Sequence, residues 1–424
     1  MRLTTQAPGF PALDAHLMPA APWPIAVAYS GGGDSHALAL SAAAWAKAHG
    51  RRLILLHVDH HLQPQSSRWA ALAEATAGRL GADFRRLDWL GDKPLTGLPA
   101  AARSARHRLI ARTAREAGAR VILMGHTADD VTEARLMQAR GGSVPEPRPW
   151  TPSPIWPEGA GLFLLRPLLG CRRADLRDWL RSAGETWIDD PANEDERRAR
   201  TRARKALAAG EPPPPGPTNA EGDLPQLARQ ATHPLGEIAW PRADFSAASP
   251  AAQTRALSVA CLCVGGGARP PRGDSLRRLI AQLEAGQAFA STLVGARIEL
   301  AGDEVRLCRE PGEAGRGGLA QARLNVGASL VWDGRWRLTS SAAVGDVTRL
   351  AGQGGRLAPA TQRRLGHLRP PVRWGLPVVR LGEGLVCPPL EPEAGIEAVS
   401  LTRARFEAAC GLVTSEADLV AGRG

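Results

Sequence analysis

The sequence predicts an α/β fold, a parallel sheet flanked by helices, followed by a mainly helical domain with short strands and a small α+β domain. Three observations predict it. Apolar runs and helical segments alternate at βαβ spacing from Ile25 to Ala139. Three glycines, Gly31, Gly32 and Gly33, stand between the first strand and the first helix. The tract Glu211-Pro212-Pro213-Pro214-Pro215-Gly216-Pro217 then closes the pattern, because it cannot stay helical.

Residues 1–23 read as a proline-containing leader that packs through Leu13 and Leu17. Strands are expected at Ile25–Tyr29, Arg52–Val58, Asp83–Leu87 and Arg120–Met124, with helices at Ser35–His49, Ser66–Leu80, Leu98–Ala117 and Asp129–Ala139. A Pro- and Gly-rich loop covers 141–161, Leu162–Leu165 returns to the sheet, and helices follow at Cys171–Ala183 and Asn193–Ala208. Beyond the tract, helices are expected within Arg255–Val264 and Ser275–Leu283, strands within Phe289–Arg309, and a hairpin around Asp333-Gly334. The implied division is a catalytic domain with a basic helical extension at 1–210, a linker at 211–245, a central domain at 246–355 and a small C-terminal domain at 356–424.

The net charge of +11 favours a polyanionic partner. Arginine carries nearly all of it, since Lys47, Lys93 and Lys205 are the only lysines, and its planar fork suits phosphates and base edges. Six cysteines without a CxxC pair exclude a disulfide scaffold, and Cys261 and Cys263 read as buried thiols. No apolar run reaches the roughly 18 residues of a membrane span, so a soluble cytoplasmic protein without a membrane partner is expected.

The chemistry gathers at strand ends. Ser30-Gly31-Gly32-Gly33-Asp34-Ser35 ends the first strand, and loss of Cβ there lets backbone N–H groups approach an anion at a helix N-terminus. It has neither Walker A nor GxGxxG spacing. His57 and Asp59 share one face at the end of the second strand, as site residues or as a packed histidine and a turn cap. Asp129, Asp130 and Glu133 follow the fourth strand; acids beside a polyphosphate call for Mg²⁺, and Asp34 could complete the ion's shell. Arg103 and Arg106 lie one turn apart on the third helix, while Asp190 and Asn193 precede a helix dense in arginine, including Arg200 and Arg204.

Together these stretches resemble the bacterial tRNA(Ile)-lysidine synthetases, a family of N-type ATP pyrophosphatases with an adenine nucleotide α-hydrolase-like fold. The resemblance rests on Ser30–Ser35, His57-Val58-Asp59-His60, Ala102–Arg106, Gly125–Glu133, Arg166-Pro167-Leu168-Leu169, and Asp190-x-x-Asn193 with Arg200 and Arg204, and covers about the first 205 residues. His107 departs from the family's tyrosine, and the basic helix ends in Ala-Ala-Gly.

The resemblance implies ATP and Mg²⁺ as cofactors, with free L-lysine and a CAU-anticodon tRNA(Ile) as substrates. A second copy of the chain is a candidate partner. The wobble cytidine is adenylated at C2, and lysine then displaces AMP. Ser30 to Ser35 and His57 would bind the nucleotide, and Asp34 and Asp130 the metal. Asp34, Asp59, Asp129 and Asp130 would be catalytic, without a ranking among the last three for handling the amine. Arg103, Arg106, Glu133, Asp190, Asn193, Arg200 and Arg204 would bind substrate. The rivals are a tRNA 2-thiolating enzyme, disfavoured by the lack of cysteine before Cys171, and a non-catalytic RNA-binding protein, which leaves the acidic cluster unexplained.

Overall fold

The computed structural model describes residues 7–94, 96–142, 144–189, 199–215, 222–341, 344–391 and 395–421. The chain forms two units, residues 1–218 with 413–424, and residues 219–412.

The first unit runs α1 (Phe10–His16), β1 (Ile25–Ala28), α2 (Gly33–Ala48), β2 (Leu53–Asp59), α3 (Ser66–Leu80), β3 (Asp83–Asp88), α4 (Leu98–Glu116), β4 (Val121–Leu123), α5 (Ala128–Ala139), β5 (Trp150–Pro152), β6 (Phe163–Leu165), α6 (Arg173–Ser182) and α7 (Ala199–Ala208). The sheet order is β3-β2-β1-β4-β6-β5, parallel except for the edge strand β5. Strands β1, β2, β4 and β6 are apolar on both faces because helices cover both. Ile25, Val27, Leu55 and Leu123 pack with Trp45 and Leu38 on one side, while Ala26, Ile54, Leu56 and Ile122 pack with Ile110 on the other. The chain leaves β1 toward β2 and β3, then crosses back to β4 on the other flank of β1. The crevice at that reversal is where an open α/β sheet binds its ligand.

The leader packs through Leu13 and Leu17 as expected, with Phe10 and Leu13 buried on α1, and the loop expected at 141–161 carries a strand, β5, whose short length escapes periodicity.

The second unit contains α8 (Leu224–Arg229), β7 (Ile238–Pro241), α9 (Arg242–Ala247), α10 (Pro250–Gly265), α11 (Gly273–Ala285), β8 (Phe289–Leu293), β9 (Ala296–Ala301), β10 (Glu304–Arg309), β11 (Ala322–Leu324), β12 (Ser329–Trp332), β13 (Trp336–Ser340), β14 (Gly345–Arg349), α12 (Pro359–Gly366), α13 (Pro370–Trp374), β15 (Pro377–Leu381), β16 (Gly384–Val386), β17 (Ile396–Ser400) and α14 (Thr402–Ala409). Within the tract read as a linker, Leu224, Leu227, Ile238 and Trp240 join the core around α10. Cys261 and Cys263 lie in that core, and burial pushes both thiols up to about 12. The Asp333-Gly334 hairpin forms between β12 and β13 with φ of 50° and 65° at its two turn residues. Asp333 also accepts hydrogen bonds from Arg309 at 2.8 and 2.9 Å and from Arg335 at 2.8 Å.

The last described helix, α15 (Glu416–Ala421), belongs to the first unit. Glu416 is 0% exposed. It accepts hydrogen bonds from Arg51 at 2.9 and 3.0 Å, from the Met18 N–H at 2.8 Å and from the Trp23 indole. Among the described residues no helix is long and apolar enough to cross a membrane.

Candidate active site

The glycine loop turns from β1 into α2 in a conformation that demands its composition. Gly31 has φ of 84°, and a Cβ there would run into Ile188. Ser35 Oγ donates to the Gly32 carbonyl at 2.9 Å and accepts from the Ser30 N–H at 3.2 Å, closing the turn. The N-cap residue Gly32 has no side chain to cap α2. The N–H groups of Gly33, Asp34 and Ser35 therefore find no acceptor among the described residues. Three aligned donors at the positive end of a 16-residue helix fit a polyphosphate.

Residues 185–189 cross this loop. The Ile188 N–H donates to the Gly31 carbonyl at 2.9 Å. Trp187 lies 3.5 Å from where a Gly33 Cβ would stand. Glu185 anchors the segment by pairing with His36 Nε2 at 2.9 Å and with Arg79 through two 2.7 Å bonds.

Asp34, Asp129, Asp130 and Glu133 converge as the sequence suggests, but around an arginine that sequence reading passed over. Arg173 donates to Asp34 at 3.0 Å and Glu133 at 3.1 Å, and lies 3.4 Å from Asp130 and 3.9 Å from Asp129. Its backbone N–H is capped by Asp129 at 2.7 Å. Arg200 approaches Asp130 at 3.6 Å and Glu133 at 3.3 Å, and Arg204 donates to Glu133 at 2.9 Å. Burial pushes the Asp34 carboxyl above its usual range despite Arg173. For Asp130 burial acts in the same upward sense, but Arg200, the Thr127 N–H and Arg173 outweigh it and hold the group low. The carboxylates surround one cation, and their hard oxygens are the donors that Mg²⁺ takes. Arg173 occupies the space between these carboxylates, and among the described residues they are not a group whose ligand atoms come within reach of one ion.

His57 and Asp59 stand apart from this cluster. His57 is buried, with Nδ1 3.1 Å from the Tyr29 carbonyl oxygen, and burial lowers its pKa. Asp59 accepts from the His61 N–H and from Arg86, each at 2.8 Å. Asp59, His61 and Asp88 come within reach of one ion, but Arg86 already bridges the two aspartates.

The opposite wall is cationic. Arg103 is exposed on α4, while Arg106 Nε is buried without a hydrogen-bond partner among the described residues. Burial, with Arg103 and Arg200 nearby, pushes Arg106 down to about 10. Arg166, at the end of β6, is also pushed to about 10 by burial and Arg103. Such a cluster of cations invites an anion. Asp190 and Asn193 lie outside the described residues.

The signal for Arg173 was its position. It is the first residue of α6, where a positive charge opposes the helix dipole, so its partners must lie elsewhere. Glu185, Trp187 and Ile188 carried no comparable pattern.

A glycine loop opening a helix at the sheet's reversal point, with acids on the neighbouring strand end, defines a nucleotide-binding α/β protein of the PP-loop class, and a family model described as the PP-loop domain matches residues 12–210. The tRNA(Ile)-lysidine synthase of Caulobacter vibrioides is 48% identical over 419 residues, covering 96% of this chain and 97% of that protein. Its counterpart in Hyphomonas neptunium is 39% identical over 324 residues, covering 71% and 87%. The chain belongs to the tRNA(Ile)-lysidine synthase family. A solved U34-tRNA thiolase NcsA from Methanococcus maripaludis, with its [4Fe-4S] cluster, gives a TM-score of 0.39 at 14% identity over 47% of this chain and 70% of that one, too low to carry an argument.

Proposed function

We propose that this protein is an ATP-dependent carbon–nitrogen ligase that converts the wobble cytidine of CAU-anticodon tRNA(Ile) to lysidine. The observation that carries the proposal is the near full-length likeness to the Caulobacter vibrioides tRNA(Ile)-lysidine synthase, joined to a loop whose three leading N–H donors find no acceptor among the described residues.

In the first step the cytidine O2 attacks the α-phosphorus of ATP, forming the O–P bond as pyrophosphate leaves. The N–H groups of Gly33, Asp34 and Ser35 hold phosphate oxygens and orient the chain for in-line attack. Asp34 and Asp130 would hold Mg²⁺, which supplies neutralising charge to the departing pyrophosphate. In the second step the lysine ε-amine attacks C2, and the C2–O bond breaks with AMP carrying the oxygen away. No protein nucleophile is required.

The amine must lose a proton, and Asp129 would receive it. Its side chain is 38% exposed, whereas those of Asp130 and Asp59 are 8% and 0% exposed. Glu133 sits among Arg173, Arg200 and Arg204 and would orient the lysine through them. Arg103, Arg106, Arg200 and Arg204 would provide the tRNA-facing charge, and Asp190 and Asn193 would bind substrate alongside them. Six free cysteines fit a reducing cytoplasm.

ATP–pyrophosphate exchange tests the first step. The proposal expects exchange only when CAU-anticodon tRNA is present. Exchange at the same rate without tRNA, or with any tRNA, would contradict it.

A further inference from the structure

His126 follows Gly125 just beyond β4. Gly125 packs so closely on the start of α2 that a Cβ would lie 3.2 Å from both the Asp34 carbonyl and Ser35 Cα. That contact sets His126 on the flank of the phosphate loop. Its ring is held from the other side by Arg166, whose Nε donates to His126 Nδ1 at 3.2 Å. Arg166 is itself fixed, since Nη1 donates to the Arg148 carbonyl at 2.7 Å and to Thr151 Oγ1 at 3.3 Å.

A guanidinium N–H can only donate, so Nδ1 must offer its lone pair. The ring proton then sits on Nε2, and a second proton on Nδ1 would break the bond to Arg166. Nε2 has no hydrogen-bond partner among the described residues. It is also absent from the buried orphaned atoms, unlike Arg106 Nε, so it keeps some accessible surface. The charged groups facing the ring are Arg166, Asp130, Arg200 and Arg106. Three of the four are cations, so the group that meets Nε2 there is anionic.

We propose that His126 is a neutral Nε2–H donor to a phosphoryl oxygen of the bound nucleotide, and that Arg166 is a positioning residue that fixes this tautomer. The proposal rests on the adenylating reading above and adds one side-chain donor to the backbone donors of the loop. It also explains why an arginine is held beside a histidine: the cation excludes the imidazolium and leaves one ring N–H aimed at the site.

Nitrogen NMR of the full-length protein labelled at histidine tests the proposal, with His126 assigned through His126→Gln. The expected ring at neutral pH is protonated at Nε2 alone, and Mg²⁺ with α,β-methylene-ATP shifts the Nε2 signal without tRNA. In Arg166→Gln the ring should exchange between tautomers. In single-turnover adenylation His126→Phe should lose about 10²–10³-fold, and His126→Gln, whose amide N–H can reach the same place, should recover most of it. A ring protonated at Nδ1, an Nε2 signal that moves only when tRNA is added, or equal losses in the Gln and Phe variants would overturn the proposal. Intact tautomer and nucleotide response in a protein that makes no lysidine would count against the assigned reaction alone.

Discussion

Arg173 Nε donates to Asp34 Oδ2 at 3.0 Å, joining the first residue of α6 to the phosphate loop. Removing the guanidinium in Arg173→Ala leaves Asp34, Asp130 and Glu133 facing one another. Breaking a buried pair costs roughly 3–5 kcal/mol, and less is expected here because Arg200 and Arg204 still reach Glu133. Asp34 already has a raised pKa from burial, so its ionised form is the strained one. The destabilisation should be largest above that pKa and shrink as acid neutralises the carboxyl. Urea denaturation at neutral and acidic pH checks this; an equal loss at both would contradict it.

Gly31 and Gly33 should respond differently to alanine. At Gly31, φ of 84° and the facing Ile188 side chain both oppose a Cβ, and the backbone term alone is about 1–2 kcal/mol. At Gly33 the added methyl meets Trp187 at ordinary contact distance. Titration with a fluorescent ATP analogue should show Gly31→Ala binding at least about tenfold more weakly and Gly33→Ala close to the parent. Equal affinities would remove Ile188 from the account of the loop.

His107 gives a pH prediction. Burial, with Arg106 and Arg103 beside it, pushes its pKa from 6.5 to about 3. Between those values the unfolded chain binds a proton that the folded chain refuses. Its contribution is thus complete above pH 6.5 and declines as pH falls toward 3, by roughly 1.4 kcal/mol per unit. The difference in stability between the parent and His107→Phe, measured by denaturation across that window, should carry this slope. A flat difference would contradict the burial of a neutral ring.

Glu416 makes the C-terminal segment part of the first unit. Glu416→Ala would leave Arg51 buried without its carboxylate, a loss of about 3–5 kcal/mol. Thermal unfolding of the full-length variant should show a lowered transition. An unchanged transition would mean that α15 contributes nothing to the stability of that unit.

The sheet was legible from its alternation, and three strand ends coincide with a motif: Ser30 to Ser35 after β1, His57 to Asp59 at the end of β2, and Gly125 to Glu133 after β4. The convergence of Asp34 with Asp130 and Glu133 followed from their shared place at the ends of parallel strands. What stayed hidden depends on contacts between distant segments. Arg173 read as one arginine among several on an amphipathic helix, and nothing near it in sequence names Asp34 as its partner. Glu185 reaches His36 across 149 positions and Glu416 reaches Arg51 across 365. No local period encodes such distances. The glycines were legible as a loop, but not that Ile188 and Trp187 lie against them.

The most direct measurement is incubation of the protein with ATP, Mg²⁺, labelled L-lysine and a defined set of tRNAs, followed by nucleoside analysis. The account predicts label in a single modified cytidine, lysidine, at the wobble position of the CAU-anticodon tRNA(Ile), with AMP and pyrophosphate released. Label at another nucleoside, in other tRNAs, or no label while ATP is consumed would contradict it.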